Sequence, residues 1–120
     1  MKTINTHSLV GKTVTSIDAD GTSFTTSDGK QYIMRHEQSC CEDVRHSHTV
    51  GRPKDLIGAP LTFANDDHAE PADHPDMAKP SCDSHTWTVF QFHTATARLE
   101  VWWLGESNGY YSEDVNLFES

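Results

Sequence analysis

Basic residues are scarce in this sequence: nine Lys and Arg stand against eighteen Asp and Glu, a formal net charge of -9 over 120 residues. Binding to nucleic-acid phosphates draws its energy from Lys and Arg displacing counterions, so no direct nucleic-acid partner is expected, and a basic protein surface is the easier one to engage. Long apolar runs are missing too. No stretch approaches the roughly 20 apolar residues of a membrane helix, and Met1 to His7 lacks the apolar core of a signal peptide. The expectation is a cytoplasmic chain with no membrane partner. Cysteine is limited to three residues, an odd number that, without an export signal, fits reduced thiols better than a disulfide framework. A phosphate-cradling glycine loop, a serine nucleophile elbow and a nucleotide fingerprint are all absent. A non-catalytic role is therefore expected.

At 120 residues the chain is one domain, 1–120, with one core. Its aromatic residues crowd the last third, from Trp87 to Phe118. Three β signals open the chain: Val10 to Ile17, Ser23 to Thr26 after the Asp20–Gly21 pair, and Gln31 to Arg35 after Asp28–Gly29. Aspartate–glycine pairs between β-rich runs signal hairpins because glycine accepts the positive φ that tight turns require. A strand over Glu42 to Val50 would place Val44, His46, His48 and Val50 on one side. Pro53 begins a single helical turn near 53–57, closed by Gly58 and Pro60, and Leu61 to Ala64 reads as a brief strand. The stretch from Asn65 to Ser81 is rich in proline and acids and nearly devoid of large apolar residues, which predicts an exposed loop.

His85 to Ala95 alternates Trp87 and Val89 with Phe90 and Phe92 among threonines, and Arg98 to Leu104 follows as the next strand. Asn108–Gly109 then suits a two-residue turn, which would set Ser107 opposite Tyr110 and Trp102 opposite Val115. In that register Trp102, Leu104, Tyr111, Val115 and Leu117 share one face, while Leu99, Val101, Trp103 and Tyr110 share the other. A ribbon with two apolar faces must be covered on both sides, curl into a barrel, or offer one face to a partner, a second copy of the chain included. The predicted class is mainly β: a curled antiparallel sheet or small barrel with one helical turn.

Two stretches carry the candidate chemistry. In "RHEQSCCEDV", from Arg35 to Val44, the His36–Cys40 spacing joins with the distant Cys82–His85 pair to give four nitrogen and sulfur ligands of the kind that tetrahedral zinc takes. Neither pair is a Cys-x-x-Cys knuckle, so thiols packed as small apolar groups in a sheet-edge bend are expected instead, with no cofactor. A disulfide between adjacent Cys40 and Cys41 is disfavoured by a reducing cytosol, and cysteine catalysis beside His36 or His46 would need a cleft and a lowered thiol pKa. His46 and His48, on one strand face, could clasp a metal, but a solvated strand face is expected instead. In "GESNGYYS", Glu106, Ser107, Asn108, Tyr110, Tyr111 and Ser112 supply carboxylate, hydroxyl, amide and phenol groups suited to a polar ligand.

"HEQSCCEDV", "DLIGAPL", "TWTVFQF" and "VWWLGESNGYYSEDV" together resemble a small uncharacterised protein family of tailed phages and their bacterial hosts. The motif residues fall on His36, Gln38, Cys40, Cys41 and Glu42, and on Trp103, Gly105, Glu106, Ser107, Asn108, Gly109, Tyr110, Tyr111 and Ser112. Cys82 lies outside that pattern. The resemblance implies a setting, the infected cell's cytoplasm, rather than a reaction. The leading expectation is a non-catalytic accessory protein, with a counter-defence role, that binds a small polar ligand or a host protein through Cys41, Glu42, Glu106, Ser107, Asn108, Tyr110 and Tyr111. One alternative is an acidic decoy that occupies the basic nucleic-acid-binding surface of a host protein. Another is a zinc- or cysteine-dependent enzyme.

Overall fold

Short runs of β-branched and aromatic residues separated by aspartate–glycine turns become strands in the computed structural model, which describes all 120 residues. In chain order they are β1 (Lys2–Ile4), β2 (Val14–Ile17), β3 (Ser23–Thr26), β4 (Gln31–Arg35), β5 (Asp43–Val50), β6 (Phe63–His68), β7 (Ser84–His93), β8 (Arg98–Ser107) and β9 (Asn116–Glu119). Two 3-10 turns interrupt them, at Thr6–Leu9 and Pro53–Leu56. Both aspartate–glycine turns form as read, with Gly21 and Gly29 at positive φ, and they make β2, β3 and β4 an antiparallel meander. The first strand signal is shorter than expected, because Val10 and Gly11 belong to the exit from the first 3-10 turn.

The class is mainly β, as the sequence predicts, but the strands divide into two antiparallel sheets and no barrel closes. One sheet runs β1-β9-β4-β3-β2 and the other β5-β8-β7-β6. Phe24, Tyr32, Met34 and Leu117 from the first meet Phe90, Phe92, Leu99 and Val101 from the second in a shared core. Each such side chain contributes about 1.5–3 kcal/mol by leaving water. Leu9, Leu56, Leu61 and Ala64 close the core from the 3-10 turns and the entry to β6.

The register read for the C-terminal ribbon is overturned. β8 already has β5 on one edge and β7 on the other, so neither edge is free to form a hairpin with the residues that follow Ser107. The chain crosses instead to the other sheet, where β9 pairs with β1 and β4. Val115 and Leu117 consequently join Leu99 and Val101 in the main core, and Trp102 lies opposite Val89 and His48 rather than Val115. The two apolar faces of β8 are both covered. Trp102 and Leu104 form a second cluster with Trp87 and Val89, packed against by Met77 and Ala78. Those two residues come from the segment read as a bare loop. Its first residues, Asn65 to His68, extend β6, and Met77 and Ala78 are half-buried.

Candidate functional site

Three nearly buried glutamates organise one end of the molecule. Glu42 immediately precedes β5, and its carboxylate accepts the backbone N–H groups of Ser39 and Cys40, both at 2.9 Å. Those N–H groups, Cys40 first, hold the Glu42 pKa down at about 2 against the opposing effect of burial. His36 bridges this carboxylate (2.7 Å) and the backbone carbonyl of Asp114 (2.7 Å), while the Gln38 amide donates to the Cys40 and Glu42 carbonyls. The first motif is thus a bend clasped from inside and tied by His36 to the chain after the second motif. It is Glu42 that fills the buried position expected for the thiols. Cys40 and Cys41 face solvent with their sulfurs side by side, which corrects the inward orientation read from the sequence.

Glu113 anchors the other motif. Its carboxylate accepts hydrogen bonds from Ser84 (2.8 Å), Thr86 (2.7 Å) and Ser107, three hydroxyls from β7 and β8. Burial would raise its pKa, but these donors outweigh burial and lower it. Gly105 lets Glu113 approach: a Cβ there would lie 2.8 Å from the Glu113 Cβ and closer still to its carbonyl oxygen. The segment Asn108 to Ser112 is therefore a loop pinned down by Glu113, with Asn108 Oδ1 accepting the Tyr110 N–H at 3.1 Å.

The bend and the loop meet. Cys41 and Asp43 from the first, Glu106, Ser107, Asn108 and Tyr111 from the second, and Ser81, Cys82 and Asp83 from the segment before β7 line one cavity of about 410 Å³. Glu106 is its buried charge. Burial alone would raise its pKa, yet the N–H groups of Ser81 (2.7 Å) and Cys82 (2.8 Å) and the Arg45 guanidinium (2.9 Å) bring it down to about 2. Arg45 also pairs with Asp43 at 2.8 Å, so that of the three carboxylates lining the cavity, Asp43, Asp83 and Glu106, Asp83 has no basic partner. Ser107 donates its hydrogen to Glu113, and the Glu106 carboxylate, followed by burial, raises the Cys82 pKa so that the thiol stays protonated.

Of the residues singled out in the sequence, Cys41, Glu106, Ser107, Asn108 and Tyr111 line this cavity. Glu42 does not, being turned inward, and Tyr110 is 84% exposed at the loop tip, stacked edge-on against Tyr111. The four proposed zinc ligands are not assembled. His36 is engaged by Glu42 and Asp114, and no group of three or more His, Cys, Asp or Glu side chains is arranged to hold a metal ion. His46 and His48 do not share a face either, because a β-bulge between them sets His46 opposite Trp103 and His48 opposite Trp102. Sequence reasoning missed Asp43, Arg45, Ser81, Asp83 and Glu113. Arg45, Ser81 and Glu113 owe their places to partners distant in the chain, and Asp43 and Asp83 are common acids that the fold brings to the cavity rim, so no local signal marks them.

The family model described as "Domain of unknown function (DUF7448)" matches residues 7–117. The chain belongs to this family. No curated protein and no solved structure matches it. The matched span of this DUF7448 member includes β2 to β8, the first half of β9, the clasped bend and the whole cavity.

Proposed function

We propose that this DUF7448 domain is a non-catalytic binding module that takes a small polar, cationic ligand into the cavity between the Cys40–Cys41 bend and the Glu106–Tyr111 loop. The observation that carries this reading is the convergence of two motifs, more than 60 residues apart in sequence, on one polar cavity lined by Cys41, Glu106, Asn108 and Tyr111. Charge narrows the ligand. A negative group held about 4 Å from an unpaired carboxylate costs about 1 kcal/mol in water and about 4 kcal/mol near a protein surface, so a nucleotide phosphate is rejected where an amine or guanidinium is drawn in. Tyr111 supplies a ring to pack on, and the Asn108 amide a group to orient the ligand. We take the setting, the cytoplasm of a phage-infected cell and action against a host function, from the resemblance of its motifs; no helix of the chain is long and apolar enough to cross a membrane.

Calorimetric titration with small alkyl diamines and guanidinium compounds, run beside nucleoside monophosphates, tests the reading. Saturable heat from the cations alone is expected, weakened by Asp83→Asn and by Asn108→Ala. Wild-type protein that binds none of the cations overturns it.

The exposed acids Asp66, Asp67, Glu70, Asp73 and Asp76 favour a second reading, a decoy for a basic surface of a host protein. It requires binding that weakens steeply with salt and on neutralising those acids, and salt-indifferent association would remove it.

A further inference from the structure

The bulge in β5 does more than separate two histidines. An extra residue re-aims its neighbours, and here Ser47 and His48 turn together toward the segment 69–83. The Ala78 N–H donates to Ser47 Oγ at 2.9 Å, and Ser47 Oγ lies 2.7 Å from His48 Nδ1. His48 is 2% exposed. Its ring stacks on Trp102 (centroids 5.9 Å apart, planes 6° apart) and on His74 from the segment above (4.8 Å, 22°), with Trp87 edge-on at 6.3 Å. Ser81 and Cys82, a few residues further along the same segment, supply the N–H groups that hold Glu106 in the cavity wall.

We propose that residues 69–83 form a proton-sensitive strap, latched by His48 through Ser47 and His74, which lifts when the His48 ring takes up a proton and so loosens the Ser81–Cys82 wall of the cavity. A neutral ring with its hydrogen on Nε2 accepts the Ser47 hydrogen at Nδ1, leaving the Ser47 oxygen to accept the Ala78 N–H. A protonated ring carries hydrogen at Nδ1 and donates it to the same Ser47 oxygen, so that the ring competes with the Ala78 N–H, the Ser47 hydrogen loses its acceptor, and a buried cation is set among Trp87, Trp102 and a second imidazole. Burial, then the charges of His74 and His46, depress the His48 pKa below its ordinary 6.5, while Asp76 on the strap and Glu100 on β8 pull the other way. The sign follows. The closed strap holds the neutral ring, so closure is complete above the open-state value near 6.5 and is lost as pH falls below it. Release of the strap stands on this geometry alone; only its effect on the cavity rests on the ligand-binding reading.

Proton NMR of the intact chain from about pH 7.5 to about pH 5 tests it, following the His48 ring and the exchange of the Ala78 amide, corrected for the intrinsic pH dependence. The expected result is a loss of Ala78 protection of about tenfold or more, with the same midpoint as the His48 titration. Protection that persists after His48 has protonated overturns the proposal. A His48→Gln chain is expected to keep its Ala78 protection constant over the range, and a pH response that survives the substitution also overturns it. Should that variant fail to fold, the coincidence of the two wild-type curves decides. Titration with an alkyl diamine at the two pH values separates the coupled claim. Weaker binding with the strap open supports the gating, unchanged binding overturns it, and no binding at either pH removes the ligand reading while leaving the strap standing.

Discussion

Buried carboxylates dominate the chemistry of single residues. Glu42, Glu106 and Glu113 all have lowered pKa values because donors meet them, so each contributes stability that is present above the ordinary 4.5 and lost as pH falls through the folded value, about 2 for the first two. Protonation of His48 takes its share of stability below about pH 6.5, and the larger drop in the urea midpoint is expected between about pH 4 and 2, where these carboxylates protonate. A midpoint that stays level to about pH 3 would mean these carboxylates are no better stabilised in the fold than in the unfolded chain. Gly105→Ala probes the closeness of Glu113 directly. The added methyl would press on Glu113 backbone rather than on a flexible side-chain end, so a loss of about 1–3 kcal/mol is expected in chemical denaturation. The motif residues themselves were legible in the sequence, since His36, Gln38, Cys40, Cys41 and Glu42 stand out by type and spacing. Which of them turn inward was not. Spacing along an irregular bend fixes no side-chain direction, and Glu42 is buried only because Ser39, Cys40 and His36 offer it hydrogens.

Elements show where local signals are enough and where they fail. β3, β4 and the 3-10 turn at Pro53–Leu56 follow from nearby turn chemistry, and they appear at the positions read. Asn108–Gly109 carries an equally strong local turn signal, yet no hairpin forms, because the partners of β8 are fixed by strands distant in sequence. The same long-range pairing explains why both faces of β8 are apolar: it is an interior strand with the main core on one side and the Trp87–Trp102 cluster on the other. Trp102→Ala is expected to cost about 3–5 kcal/mol, while Met77→Ala, in the half-buried cover, costs less than about 2 kcal/mol. Denaturation midpoints for the two variants check this ordering. Equal losses would mean that the cover belongs to the core rather than lying over it.

At the scale of the whole molecule, the sheet order couples the two ends of the chain. β9 is the last strand in sequence but lies inside its sheet, with three registered pairs to β1 and four to β4. Nothing in its short run of Asn116 to Glu119 discloses that position, because a strand of four residues carries little pattern and its pairing is wholly non-local. Leu117 is 1% and Phe118 5% exposed, so removing them forfeits about 3–6 kcal/mol of burial in addition to both ladders. A domain of this size is stable by only about 5–15 kcal/mol, and the loss of an interior strand takes away most or all of that. A chain ending at Val115 is therefore expected to show no cooperative urea transition and no near-ultraviolet tryptophan dichroism. Its cavity would fail with it, since the His36–Asp114 link that ties the bend to the loop is positioned by the chain entering β9. A truncated chain that still unfolds cooperatively, with its tryptophan signal intact, would show that the four-stranded sheet and the cavity stand without the sheet that faces them.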